Sequence, residues 1–481
     1  MIDRLYRFFD SRLRIAKFTD ESLDKVFPDN FTFMFGELAL YAFLVLLVTG
    51  VYLTFFFHPS GKDVVYHGHY MPLDGVHVSE AFASTLHISF DVRAGLVIRQ
   101  IHHWAALVFV GAIVVHLCRV FFTGAFRRPR EVNWMVGVTL LVLAIVNGFA
   151  GYSMPDDLLS GTGLRIANAI VLSIPLVGSW LAFLVFGGEF PQEAIIPRLF
   201  VVHVFVVPLL ILGLIGAHLG IMWRQKHTQF AGPGRTEDNV VGSRLWPTYA
   251  ARSIGLVCGV FAVCAALGAF AQINPVWLYG PYRPAATSTA AQPDWYMGWL
   301  EGALRLFPGW RIHAFGFSVS ELFWPAVVLP GITFGLLYAW PFLEQRLTGE
   351  GRRDHHLLNS PRDRPVRTAI GAGALTFYGV LFVAGSQDII ATKLNVAVPD
   401  VTFTLRVLVL VLPVVVYLLT WRLCRELQHV ARRVPAVAPV APAAGVPGPQ
   451  RRPWLRGDGS LVAVVFGFVA GFAVGRRSKE S

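Results

Sequence analysis

Eight long apolar runs decide what this chain can fold into: Leu38–Phe57, Ala105–Phe122, Trp134–Ala150, Leu199–Trp223, Ile254–Ala271, Phe317–Ala339, Ala369–Ala384 and Phe403–Leu419. With its flanking residues, each approaches or exceeds the roughly 17–25 residues that cross a hydrocarbon core as a helix. Composition agrees, since 54% of the 481 residues are hydrophobic and only 15% are charged, against roughly 25% charged in soluble domains. A soluble chain above about 250–300 residues would also divide into separate cores. The sequence therefore predicts an all-α polytopic membrane protein with about eight transmembrane helices.

The formal charge of +11 and pI near 9.7 would suit a nucleic-acid partner, but the placement of the charge argues for a membrane. With the amino terminus set in the cytoplasm, the inner flanks hold 31 of the 41 Lys and Arg residues and the outer side holds 10. That is the positive-inside asymmetry. Arg127-Arg128-Pro129-Arg130 then reads as a topology determinant facing anionic lipid. The expectation is a multi-pass protein of the plasma membrane that binds no nucleic acid. Cys118, Cys258, Cys264 and Cys424 show no metal-ligand spacing, and no Cys-x-x-Cys-His occurs, which excludes covalent c-type haem.

Four segments are expected. Residues 1–32 form a charged amphipathic stretch along the inner surface; residues 33–224 form a four-helix bundle. Residues 225–426 form a second group of four helices with a long aromatic-rich and Pro-rich outer loop, Gln272–Gly316. Residues 427–481 form a basic, Pro/Ala-rich tail ending in the short apolar stretch Leu461–Gly475, for which an interfacial helix and a ninth crossing both remain open. The loop Tyr152–Arg198 is too broken to span and predicts two short surface helices covering a pocket.

Histidine within a membrane helix is costly and usually functional. His102 and His116 lie fourteen residues apart on the second run, and His203 and His218 fifteen apart around the fourth. These intervals correspond to about 21–22 Å of helix, with both members of each pair near one face. Two helices facing each other would thus offer one imidazole pair near each surface, and such a pair can hold a planar iron macrocycle by axial ligation. His103 is expected to be a bystander that satisfies itself on a backbone carbonyl. Gly36 and Gly50, and Gly137 and Gly151, repeat the fourteen-residue interval on the flanking runs. Lacking Cβ atoms, they are expected to leave a flat gap beside each macrocycle. Arg99 and Arg119 lie three residues outside His102 and His116, where guanidinium groups would pair with propionates; Arg198 is a weaker candidate for the same part.

Arg99-x-x-His102, His116-x-x-Arg119, the Phe126–Trp134 connection, Gly151-Tyr152-Ser153-Met154-Pro155, Ile174-Pro175 and Pro293-Asp294-Trp295-Tyr296 together resemble cytochrome b of the bc complexes over residues 30–425. The Gln225–Gly242 loop and long tail resemble the actinobacterial branch. The resemblance implies a four-helix bundle with two b-type haems, His102 with His203 holding the outer one and His116 with His218 the inner one. It also implies a quinol–cytochrome c oxidoreductase subunit, with quinol oxidised at an outer site formed by Asp294, Tyr296 and Tyr152. Pro293, Trp295 and Gly163 would border that site, and menaquinone is the expected quinone. One electron would pass to a Rieske iron–sulfur subunit and on to a c-type cytochrome subunit. The other would cross the haems to an inner quinone site, with proton release outside. A homodimeric complex, and a terminal oxidase as supercomplex partner, are also implied.

Two departures stand out. Aspartate replaces the family's glutamate, so its reach to the quinol is one methylene shorter. The fifteen-residue interval would rotate the second ligand of the fourth helix by about 100° in an ideal helix, so a local distortion is expected. The inner quinone site is weakly marked, with His227 and Arg252 in the right region and no acidic residue where the family's Lys-Asp stands. The competing readings are a di-haem membrane anchor of another oxidoreductase and a non-redox, proton-coupled transporter.

Overall fold

The computed structural model describes residues 8–12, 19, 21–191, 193–286, 292–314, 316–351 and 353–433. Residues 1–7, 13–18 and 20 of the amino-terminal stretch and the tail containing Leu461–Gly475 fall outside the described residues. Among the described residues, eight helices are long and apolar enough to cross a membrane, as the apolar runs predict.

The helices used below are α1 (Phe35–Thr54), α2 (Glu80–Phe90), α3 (Gly95–Thr123), α4 (Glu131–Tyr152), α5 (Leu158–Leu172), α6 (Gly178–Phe186), α7 (Ile195–Arg224) and α8 (Leu245–Phe270). After them come α9 (Gly298–Leu306), α10 (Trp324–Thr348), α11 (Pro365–Gly385) and α12 (Val398–Arg433). The crossings are α1, α3, α4, α7, α8, α10, α11 and α12. The bundle end at which α1 begins is called the N-terminal face, and the opposite end the far face.

Helices α1, α3, α4 and α7 enclose one shared core. It is built from Ala39, Ala42, Phe43 and Val45, then Ala105, Phe109 and Ala112, then Leu140, Leu141 and Ala144, with Val207 and Ile211 closing it. The alanines among these positions let helix backbones approach closely, which drives packing where water cannot. Val260 and Cys264 of α8, and Tyr296 from the far-face loop, complete that core. A second group joins Ala303 and Leu306 of α9 to Val380, Leu381 and Ala384 of α11 and Leu405 of α12. Helix α10 is tied to α4 by Trp134 Nε1 donating to the Leu337 carbonyl at 2.6 Å and by a 2.8 Å Thr139–Tyr338 hydroxyl contact.

The expected distortion of the fourth crossing is present. Val202–Val206, containing His203, is a π-helical turn between α-helical stretches. A π turn holds one residue more than an α turn, so it absorbs the extra residue between His203 and His218. Pro208 has no N–H to close the regular ladder onto Val204, which favours the irregularity at this point. The two short helices predicted after Tyr152 are α5 and α6; Asp157 caps α5 through a capping box with Ser160.

The far-face loop is anchored by backbone contact. Helix α9 begins immediately after the Asp294-Trp295-Tyr296 segment and lies on α11 with no room for a side chain. A Cβ at Gly302 would sit 2.7 Å from the Leu381 carbonyl carbon and 2.9 Å from Gly385 N. Gly302→Val is therefore expected to push α9 off α11 at a cost of about 1–3 kcal/mol or more. A lower melting temperature of the purified protein, with faster proteolysis in the 286–310 region, checks this; unchanged melting would show that the contact carries no stability.

Candidate functional site

Near the far face, the ring centroids of His102 on α3 and His203 on α7 are 6.1 Å apart. A metal–imidazole bond is about 2 Å long, so two imidazoles trans on one metal place their centroids roughly 6 Å apart. The proton assignments favour ligation as well. His203 Nδ1 is 2.9 Å from the Asn147 carbonyl, which can only accept, so Nδ1 carries the proton. His102 Nδ1 is 2.9 Å from Thr49 Oγ1, whose own hydroxyl donates to the Val45 carbonyl at 2.7 Å, so Nδ1 donates here too. Each ring therefore keeps its Nε2 lone pair, the usual arrangement when a second hydrogen bond orients a metal-ligating histidine. Toward the N-terminal face lie His116 of α3 and His218 of α7, and His116 Nδ1 is buried without a hydrogen-bond partner.

The four period-fourteen glycines stand against the histidines, and Gly50 and Gly151 also line open space. Each faces one histidine: Gly50 faces His102, Gly151 His203, Gly36 His116 and Gly137 His218. A Cβ at Gly151 would lie 2.8 Å from His203 Nδ1, and one at Gly36 would lie 3.1 Å from His116 Cε1. The missing side chains make room for the imidazole edges and so fix the ring positions. The matched period is explained because glycines and histidines repeat at the same interval on adjacent helices.

Arg99 and Arg119 flank the two histidine pairs. Arg99 makes one long contact, 3.4 Å, to the Asn274 carbonyl, and its Nε is buried and unpartnered. Arg119 lies over the Phe33 ring at 4.1 Å, with Nε and Nη2 unpartnered. Two buried guanidinium groups with unused donors suit the carboxylates of a bound anionic group. Arg198 does not share this part; it donates to the Phe183 and Leu184 carbonyls at the end of α6. The His102–His203 pair with Arg99 thus fits a bis-histidine haem, and His116, His218 and Arg119 supply the same donor types toward the N-terminal face.

A cavity of about 490 Å³ opens between the bundle and the far-face loop. His102, His203, Arg99, Gly50 and Gly151 line it, and so do Tyr152, Asp157, Asp294 and Tyr296. The space between the imidazoles and the carboxylate pocket are therefore one volume. The Asp294 side chain is largely buried and is held from two sides. His103 Nε2 lies 2.8 and 2.9 Å from its two oxygens, and Tyr296 Oη donates to Oδ2 at 3.3 Å. His103 is thus no bystander: its partner is a side chain from the far-face loop, not a backbone carbonyl. Burial, with Asp294 alongside, raises the Tyr296 phenol well above its ordinary pKa. Burial likewise pushes Asp156 up to about 6 despite a hydrogen bond from Ser79, with Asp157 next to it adding to the rise. Gly163 packs behind the Tyr152 ring, where a Cβ would lie 3.7 Å from Tyr152 Cε1, and it does not line the cavity. Trp295 instead rests against Gly111 on α3. Pro293 precedes the carboxylate and also lies off the cavity wall.

At the N-terminal face, His227 lies against Phe27 with ring centroids 4.3 Å apart, and its Nε2 is buried without a partner. Burial, together with Lys25 and Arg130 nearby, lowers its pKa to about 4. Acidic groups are present here, but they come from the start of the chain and not from the fifth crossing. Asp29 pairs with Arg252. Glu37 on α1 accepts from Ser253 at 2.6 Å, from Tyr41 at 3.3 Å and from Tyr249. Sequence reasoning missed Glu37, Thr49, Asn147 and Asp157. For His103 the only available signal was its adjacency to His102.

Comparison with known proteins agrees with this geometry. The family described as cytochrome b(N-terminal)/b6/petB matches residues 107–281. The cytochrome bc1 complex cytochrome b subunit of Mycobacterium leprae is 51% identical over 426 residues, which is 88% of this chain and 77% of that protein. The subunit of the same name from Streptomyces coelicolor is 49% identical, covering 89% and 78% of the two chains. A solved chain of a hyperthermophilic respiratory complex III shares the fold, with a TM-score of 0.65 at 20% identity, over 88% of this chain and 100% of that one. Eight apolar crossings among the described residues, the facing His102–His203 pair and this extent of identity place the chain in the cytochrome b family.

Proposed function

We propose that the chain is the di-haem cytochrome b subunit of a cytochrome bc1-type quinol–cytochrome c reductase and that it oxidises quinol in the far-face cavity. The observation that carries this reading is the continuity of one cavity from the free Nε2 atoms of His102 and His203 to Asp294, Tyr152 and Tyr296. A substrate in that volume lies beside both an electron acceptor and a proton acceptor. When bound, the haems supply electron transfer between the two membrane surfaces, and the chain supplies ligands, orientation and dielectric.

In this reading His102 and His203 hold the haem at the far face, with Arg99 on its carboxylates. His116, His218 and Arg119 do the same at the N-terminal face. Asp294 accepts a proton as quinol is oxidised, and the hydroxyls of Tyr152 and Tyr296 border the substrate. Excluding water by the apolar walls holds the substrate against these groups. The far face is the outer side of the plasma membrane, the amino terminus is cytoplasmic, and protons leave outward. A Rieske iron–sulfur subunit takes one electron and delivers it to a c-type cytochrome. The other electron reaches quinone at the N-terminal face, near His227 and Glu37. Menaquinone as substrate, a homodimeric complex and association with a terminal oxidase belong to the same reading.

A di-haem anchor for another oxidoreductase would share the histidine pairs but gives no reason for a buried carboxylate facing the same cavity. A proton-coupled transporter gives no reason for both rings of the His102–His203 pair to keep Nε2 free.

His116→Ala is expected to remove the haem at the N-terminal face and largely spare the spectrum of the other, read as a reduced-minus-oxidised difference spectrum. Equal loss of both signals would show the pairing to be wrong. Asp294→Asn is expected to slow quinol oxidation by roughly a hundredfold, within the range for loss of a general base, with both haems retained. Wild-type turnover in that variant would make the carboxylate dispensable.

A further inference from the structure

We infer that His103 is a positioning residue for quinol oxidation: its imidazole spans both oxygens of Asp294 and holds the shortened acidic side chain in the one orientation that presents it to the substrate. The inference rests on the reading of the far-face cavity given above and goes beyond it by assigning a residue that fixes the proton acceptor.

The geometry is specific. His103 sits on α3, one residue from His102, and its Nε2 faces both oxygens of Asp294 at 2.8 and 2.9 Å across 191 residues of sequence. Both side chains are largely withdrawn from solvent, with relative exposures of 17% for His103 and 8% for Asp294, and both line the cavity. A carboxylate accepts only, so His103 Nε2 carries the proton and donates. His103 therefore uses as a donor the same ring atom that His102 and His203 keep as a lone pair. Two neighbouring histidines on one helix are thus divided between two tasks by the partners they meet.

Aspartate has one methylene less than glutamate, so its oxygens reach less far from the backbone, and a small rotation moves them away from the substrate. An N–H shared between both oxygens opposes that rotation, and Tyr296 Oη on Oδ2 adds a second restraint. Together the two donors occupy Oδ2 and leave Oδ1 with a lone pair for the substrate. One quinol O–H bond then breaks with its proton passing to that oxygen, and its bonding electron pair stays on the substrate oxygen as the quinolate anion. Misplacing a catalytic group by about 1 Å can cost on the order of a hundredfold in rate. A residue that only holds the acceptor still controls turnover.

The test measures quinol oxidation by the assembled complex with a water-dispersible menaquinol analogue, separating kcat from KM. It compares wild type, His103→Leu, His103→Gln, Asp294→Asn and the double variant His103→Leu with Asp294→Asn, with haem spectra as the control for folding. His103→Leu is expected to keep both haem bands and to lose roughly ten- to a hundredfold in kcat with KM little changed. His103→Gln keeps a side-chain N–H donor and is expected to recover most of that loss. The double variant is expected to be no slower than Asp294→Asn alone, because a group that acts through the carboxylate has nothing to hold once the carboxylate is gone. Wild-type kcat in His103→Leu would overturn the inference. Losses that multiply in the double variant, or a His103→Gln as slow as His103→Leu, would overturn it too, since a structural role independent of Asp294 gives both. Asp294→Asn separates the two levels: a slow Asp294→Asn beside a normal His103→Leu removes only the role of His103. Normal turnover in Asp294→Asn removes the acceptor itself.

Discussion

The structure depends on a pair of protons held in fixed places. In the far-face pair, His203 commits its Nδ1 proton to a helix carbonyl, and His102 commits its own to a threonine that is itself held by a carbonyl. An imidazole anchored in this way has its tautomer and ring orientation chosen before any ligand arrives. In a membrane interior an unpaired polar group is expensive, and two lone pairs held near each other between helices are tolerated where a ligand satisfies them. The glycines serve this arrangement directly, because a side chain at Gly151 or Gly50 would displace the ring opposite it. The unpartnered donors of Arg99 and Arg119 express the same requirement for negative charge beside the same helices.

The remaining architecture positions chemistry around those rings. Helices α1, α3, α4 and α7 are packed through alanine and other small or branched residues, which fixes their spacing. The far-face loop then brings Asp294 and Tyr296 onto the same cavity, and it can do so because Gly298 and Gly302 let α9 lie on α11 without side chains of their own between them. A buried ion pair, Arg367 with Glu344 at 2.7 Å, joins α10 and α11 at the N-terminal face. Arg367 is also bonded to Asn359. Removing one partner of such a pair leaves an uncompensated charge, so the pair acts mainly to fix which helix ends meet.

Much of this was legible in the residues. Eight apolar runs announced eight crossings because hydrocarbon admits few alternatives. The fifteen-residue interval between His203 and His218 foretold a helix distortion, and the π turn at Val202–Val206 is that distortion. The part that was not legible depended on contacts between distant segments. His103 carried no periodic signal of its own, since its partner lies on a loop 191 residues away. The glycines were legible as a period, yet their neighbours were not, because a sequence interval does not state which helix stands opposite. Glu37 was hidden for the same reason: its three hydroxyl partners lie on α1 and α8, and no motif links them.

Membership of the cytochrome b family and the geometry of the histidine pairs make one quantity decisive. Haem content per chain, measured on the purified protein as the pyridine haemochrome against protein mass, tests whether both imidazole pairs hold iron. Two b-type haems per chain are expected. A value of one or none in a folded, membrane-extracted preparation would contradict bis-histidine ligation at both faces.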